Sequence, residues 1–307
     1  MRDFEWLLRR IQLGLGTAPP VAPSSPAPSR SPVPMRDGWA ETCPGGRPFL
    51  DEQGHEVVAS VRCGTAWSEP SGEPRPELPP NMAAQLAEEW LADALNEHAS
   101  IASFARATIE LMAVGAPADL VSRTQAASLD EVTHARLCFG LASRYGSDVA
   151  PGPLPALAPR SGGLERVAVD TFTEGCVGET VASLCCTRAL ERATDPVVRS
   201  ALAVITEDEA SHAALAWATV GWAVRQGGAP VLAALEVRYR ELRSVRVALR
   251  AGSSEPRSST AWLLGEHGRL DAPTLRETAS DAWERIIAPA YAFITRTGTP
   301  THAEAIV

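Results

Sequence analysis

Four apolar helical stripes, each broken near its middle by a carboxylate, constrain this chain more than any other feature. The first reads Trp90, Ala94, Glu97, Ile101, Phe104, Thr108, Leu111, in alternating steps of four and three that mark a core-facing seam. The second reads Leu120, Thr124, Ala127, Glu131, His134, Cys138, Leu141, Tyr145. The third reads Ala168, Phe172, Gly175, Glu179, Ala182, Cys186, Ala189, and the fourth Val198, Leu202, Ile205, Glu209, His212, Ala216, Thr219, Ala223. The periodicity predicts an all-α fold, with helices over about 81–114, 118–145, 164–193 and 196–226. Asn81 is the candidate cap of the first. Two more helices are expected, over about 230–251 and 272–296. Gly115-Ala116-Pro117 joins the first pair tightly, and a Pro/Gly crossover over 149–163 leads to the second pair. This is the connectivity of a four-helix bundle.

A carboxylate buried without a partner is costly, and four in one core also repel one another. Cations at the centre resolve both problems. Four carboxylates and two imidazoles can ligate two divalent ions, and oxygen with imidazole nitrogen suits iron or manganese. Glu131 with His134, and Glu209 with His212, stand three apart on one helix face, so both members of each pair reach one site. The six expected metal ligands are therefore Glu97, Glu131, His134, Glu179, Glu209 and His212, with no catalytic residue beyond the metal centre. On the third helix Glu174 competes with Glu179. The Glu179 stripe stays apolar to Ala189, whereas that of Glu174 runs into Arg188, which favours Glu179. Phe104 and Phe172 are core residues by their spacing, or walls of a pocket. His98 faces away from the seam.

The two histidine-bearing helices repeat each other: DEVTHA at 130–135 and DEASHA at 208–213 share the form D-E-x-[TS]-H-A. Asp130 and Asp208 lie off the seam centre, placed to accept the second ring N–H of a ligating histidine on a neighbouring helix.

The segments EHASIASF (97–104), DEVTHA, EGCVGE (174–179) and DEASHA resemble the ferritin-like diiron-carboxylate superfamily, over about 82–226. Its mark is one Glu from each of two helices and a Glu-x-x-His from each of the other two. The resemblance extends to rubrerythrins and diiron oxygenases and to a group of bacterial ferritin-like proteins. It implies a ferritin-like four-helix bundle with two additional C-terminal helices, and a centre of two iron ions, with manganese or a mixed pair as alternatives. It implies an oxidoreductase that activates O2 or peroxide with an electron donor to oxidise a small substrate. Glu174 is then an extra carboxylate ligand, as in rubrerythrins, or a surface residue. Ferroxidation and iron handling, a rubrerythrin-like peroxidase and a passive metal-binding bundle are the alternatives. The chain has no Cys-rich electron-transfer module and carries more than a compact storage subunit does.

Outside the helices the chain divides into a segment and linker at 1–34, a small hairpin module at 35–80, the bundle at 81–228 and C-terminal helices at 229–307. Residues 17–34 are Pro, Ser and Ala-rich and cannot build a core. Residues 1–16 place Phe4, Leu7, Leu8 and Ile11 at helical spacing on that tether, which suggests a peptide that docks on a partner protein; folding back onto the bundle is the alternative. Pro48 to Leu50 and Glu56 to Val61, around Asp51–Gly54, suggest a hairpin. None of the six cysteines forms a C-x-x-C pair, so a zinc knuckle is excluded. Cys43 and Cys63 can pair only in an oxidising compartment. The net charge of −9 argues against nucleic acid as a partner. No apolar run suggests a membrane span and no conventional secretory signal is read, so a bacterial cytoplasmic protein is expected, with homo-oligomers compatible.

Overall fold

The computed structural model describes residues 7–11, 47–70, 72–251 and 261–297. The chain is mostly helical, as the seams require. Helix α1 (Pro80–Ala113) opens on Pro80 rather than on an Asn81 cap. Proline suits the first helical position because its φ is already helical and its missing N–H needs no partner. Helix α2 (Ala118–Arg144) follows the short turn. The third helical stretch has three parts: α3 (Gly163–Asp170), a π-helical segment (Thr171–Glu179) and α4 (Thr180–Arg192). Helix α5 begins at Pro196, where Asp195 accepts the backbone N–H of Val197 (3.0 Å) and Val198 (3.1 Å). Its span to Ala251 joins two helices across Gly228, whose backbone (φ 55°, ψ −133°) is not helical, so the break expected between 226 and 230 is present. A short helix not foreseen in the sequence, α6 (Ala261–Glu266), precedes α7 (Ala272–Ala282), a π turn (Trp283–Ile287) and α8 (Ala288–Thr297).

The hydrophobic core divides into two clusters, and the division explains the fold. One gathers Trp90 and Ala94 from α1, Phe139 and Leu141 from α2, Ala189 from α4, and Val198 to Ile205 from α5. The other gathers Phe104 and Leu111 from α1, Leu120 and Ala127 from α2, Phe172 to Cys185, and Ala210 onward from α5. Chain direction follows from this membership: α1 and α5 run one way, and α2 and the third stretch run the other. Glu97, Glu131 and Glu209 fall where their helices pass from one cluster to the other, whereas Glu179 lies within the second cluster's stretch, between Val177 and Val181. The C-terminal Trp283, Ile286, Ile287 and Tyr291 complete the second cluster.

The hairpin reduces to one bridge, Leu50 with Glu56, while β1 (Val61–Cys63) pairs antiparallel with β2 (Val149–Pro151) of the crossover. The apolar stripe at 7–11 is spent on the chain itself: Leu7 and Ile11 are buried in the second cluster, and Arg10 meets Glu207 at 2.9 Å. Both side chains are thereby removed from water against the chain's own core, which accords with the fold-back alternative. The linker 17–34, Cys43 and His302 lie outside the described residues. Among the described residues, Cys138, Cys176 and Cys185 are buried thiols and Cys63 is exposed. No helix among them is long and apolar enough to cross a membrane.

Candidate metal centre

All six seam residues fall into two adjoining groups. Glu97, Glu131, His134 and Glu209 form one set whose ligand atoms lie within 4.8 Å of one another, and Glu131, Glu179 and His212 form a second. Glu131 belongs to both. His134 Nδ1 lies 3.5 Å from Glu131, 3.6 Å from Glu209 and 3.9 Å from Glu97. His212 Nδ1 lies 3.2 Å from Glu131 and 4.0 Å from Glu209. The two imidazole centroids are 5.8 Å apart. None of the six side chains is more than 3% exposed.

The hydrogen-bond inventory of this cluster is what tests it as a metal site. Nine buried atoms have no hydrogen-bond partner: Glu97 Oε2, both oxygens of Glu131, Glu179 and Glu209, and Nδ1 of His134 and His212. Buried polar atoms are almost always satisfied, and an unsatisfied one costs about 1–3 kcal/mol. These nine atoms, gathered in two adjoining groups, could hold metal ions through carboxylate oxygens and two imidazole nitrogens. Buried Glu and His residues here can hold metal ions, and the residues present fit the group.

Without a metal, protons have to do the neutralising. Burial, then the neighbouring Glu131 carboxylate, pushes Glu97 well above the usual carboxylate range. Burial, then Glu179, does the same to Glu209, and burial raises Glu179 as well. Glu131 goes the other way. Burial would raise it, but the imidazoles of His134 and His212 beside it hold it below the ordinary value. Burial disfavours the charged form of His212, yet Asp130 and Glu131 overcome it and push the imidazole up to about 10. The cluster therefore attracts positive charge in whatever form is offered.

The far side of each imidazole is held crosswise. His134 Nε2 is 3.1 Å from Asp208 Oδ2 on α5, and His212 Nε2 is 3.2 Å from Asp130 Oδ2 on α2. A carboxylate only accepts, so Nε2 carries the proton in each ring and Nδ1 is turned to the centre. The repeated D-E-x-[TS]-H-A motif thus works as an exchange, each motif orienting the histidine of the other.

Glu174 sits elsewhere. Burial would raise its pKa, but Arg160 and then Arg47 pull it down to about 2. Arg160 donates to it from Nη1 (2.6 Å) and Arg47 from Nε (3.2 Å). The same Arg160 binds Glu110 through its backbone N–H (2.8 Å) and Nε (3.2 Å), and Asp170 through Nη1 (3.3 Å). Both Glu174 and Glu179 are buried because the segment between them is π-helical. An α-helix would set residues five apart about 140° round its axis, whereas the i→i+5 repeat brings them toward one side. Gly175 makes this packing possible: a Cβ there would stand 2.5 Å from the Ala216 methyl on α5.

Sequence reasoning missed the arginines. Arg47 reaches the centre because α1 pins its segment, Ser100 donating to the Arg47 carbonyl (2.8 Å), Ser103 to that of Pro48 (3.0 Å) and Arg106 to that of Leu50 (2.6 Å). Ser100, Ser103 and Arg106 on one helix face, all buried, were the available signal. Beside the centre a pocket is lined by Glu179 and His212 together with Phe104, Thr124, Thr171 and Arg47. Phe104 also meets the His212 ring edge-on at 5.1 Å. Phe172 lies in the aromatic core against Trp217 and Tyr291. His98 packs on Trp67, His55 pairs with Asp51, and His267 with Tyr145. No family model, curated protein or solved structure matches the chain.

Proposed function

We propose that the four long helical stretches form a ferritin-like bundle around a dinuclear iron centre, and that the protein is an oxidoreductase using O2 or peroxide to oxidise a small substrate. The observation that carries the reading is the set of nine unpartnered buried donor atoms shared among six side chains. Glu131, common to both groups, would serve both metal sites; Glu97, His134 and Glu209 would hold one ion and Glu179 and His212 the other. A bound iron pair supplies the redox chemistry with oxygen, fed by an external electron donor. The chain's own residues do the rest. Asp208 and Asp130 keep the imidazoles in the ligating tautomer. The two apolar clusters exclude water from the centre, which strengthens every electrostatic contact inside.

Elemental analysis tests the centre directly. Two metal equivalents per chain are expected, with Glu131→Ala and Glu209→Ala each losing at least one. Unchanged stoichiometry in both variants would sink the assignment. Oxygen and peroxide consumption by the ferrous protein then distinguishes the oxidants.

A further inference from the structure

A chain of aromatic rings runs from the C-terminal helices to the ligand-bearing ones. Trp217, fully buried on α5, donates its indole N–H to Oγ1 of Thr180 (3.2 Å), the residue that follows Glu179. Its ring meets Phe172 edge-on at 6.0 Å, and Phe172 lies 5.6 Å from Tyr291 on α8. Tyr291 stacks on Tyr239, with ring centroids 4.0 Å apart and planes 5° from parallel. Tyr239 is only partly buried, so the chain of rings ends at the surface. Ring contacts of this kind are ordinary core packing. What sets this chain of rings apart is a proton acceptor. The buried Tyr291 donates its O–H to Glu236 Oε2 at 2.7 Å. The other oxygen of Glu236 meets Arg240 at 2.6 Å, on the solvent side. Burial pushes the Tyr291 phenol well above the usual tyrosine range, so the proton rests on its oxygen and points at the carboxylate. A phenol that loses an electron becomes a far stronger acid, and its oxidation is eased by a base within hydrogen-bond reach.

We propose that Tyr291 is a redox-active tyrosine, with Glu236 as the acceptor of its proton, and that it passes electrons to the metal centre through Phe172 and Trp217. The last link rests on the proposed function; the Tyr291–Glu236 pair stands apart from it. With O2 or peroxide as the oxidant, Trp217 gives one electron to the oxidised centre and takes one from Tyr291. Phe172, which is too hard to oxidise, bridges the two rings. As the electron leaves, the Tyr291 O–H bond breaks, the proton passes to Glu236 Oε2 and a neutral tyrosyl radical remains. A one-electron donor at the surface reduces that radical through Tyr239, and Glu236 returns the proton. Each cycle moves one electron from donor to centre and restores every residue. The six ligand side chains are at most 3% exposed, so a donor that delivers its electron at Tyr239 needs no opening of the helices.

Two ways of driving the oxidation separate the two parts. In one, the full-length chain is loaded with ferrous iron, its metal content is measured, and it is mixed with hydrogen peroxide and frozen for electron paramagnetic resonance. In the other, the metal-free chain is oxidised by photogenerated tris(bipyridine)ruthenium(III) and followed by transient absorption. A tyrosyl radical is expected in both. The double variant Tyr145→Phe/Tyr239→Phe, which leaves Tyr291 as the one tyrosine, should keep it in both. Tyr291→Phe should lose the iron-driven radical, and Glu236→Gln should slow radical formation at Tyr291 at least about tenfold in both. Trp217→Phe should suppress the iron-driven radical and leave the photochemical one. An iron-driven radical retained in Tyr291→Phe or unchanged in Trp217→Phe, a rate indifferent to Glu236→Gln, or an iron pair that is oxidised without any radical would overturn the proposal. A chain that holds no iron pair but still forms the Glu236-dependent radical under light would refute the proposed function and leave the Tyr291–Glu236 pair standing.

Discussion

Glu174 and Glu179 stand five residues apart on one π-helical segment, equally buried, yet their carboxylates meet opposite surroundings. Glu174 is gripped by Arg160 and Arg47 and held strongly acidic. Glu179 faces other carboxylates and imidazoles, has no hydrogen bond to either oxygen, and is pushed up by burial. One cluster carries its cations as arginines in the covalent chain; the other has none and must recruit protons or metal. Burial alone therefore says nothing about function. What distinguishes a structural ion network from a ligand-binding one is whether its own side chains close the charge balance.

The largest effect should come from breaking the closed cluster. Glu174→Ala leaves two buried guanidiniums without their carboxylate and is expected to cost about 3–5 kcal/mol in chemical denaturation. Its metal content, once refolded, should match the wild type. Loss of metal in this variant would erase the distinction between the clusters.

Removing metal tests the open cluster. Metal at a hundred times its dissociation constant stabilises the folded state by about 2.7 kcal/mol, so a chelator should lower the melting temperature by a matching amount. The pH dependence should also reverse. In the metal-free protein Glu97, Glu179, Glu209, His134 and His212 all have raised folded pKa values. A raised group contributes in full below its unfolded pKa and loses its contribution as pH rises through the folded one. Glu131, held low, opposes this only on the acid side. With His212 reaching about 10, the metal-free protein should melt lower near pH 9 than near pH 6. Metal-loaded protein should gain stability over the neutral part of that range, because ligation needs deprotonated groups. Parallel pH profiles for the two forms would contradict the metal reading.

A smaller effect is expected outside the ligand set. Asp208→Asn weakens the hold on His134 Nε2 and should reduce metal affinity by about 10–100-fold while leaving stoichiometry intact at saturation. Competition with a chromogenic chelator reads this; unchanged affinity would reduce Asp208 to a bystander. The smallest change belongs to the rim of the arginine network. Arg166, partly exposed beside Asp170 (2.5 Å), should cost about 0.2–1 kcal/mol when replaced by Ala, because Arg160 still holds that carboxylate. A loss comparable to that of Glu174→Ala would mean the network acts as one unit to its edge.

The helices, their order and the six converging side chains were legible in the sequence because they rest on local periodicity. A carboxylate in the middle of an apolar stripe has one direction in which to point, and helix pairing brings such positions together. The reciprocal use of Asp130 and Asp208 followed from the same spacing, since each stands one residue before a seam glutamate. The preference for Glu179 was legible in its apolar run to Ala189, but the burial of Glu174 was not, because α-helical spacing allows only one of them on the seam. The π segment, permitted where Gly175 lets α5 approach, buries both. Arg47 and Arg160 were equally invisible: each arrives from an irregular segment far from the centre in sequence, placed by hydrogen bonds to Ser100 and Glu110. The pairing of Val61–Cys63 with the crossover and the burial of Leu7 and Ile11 in the second cluster belong to the same class. Periodicity along one chain segment sets which side of a helix is buried, but contacts between distant segments depend on a shape that exists only once the helices have packed.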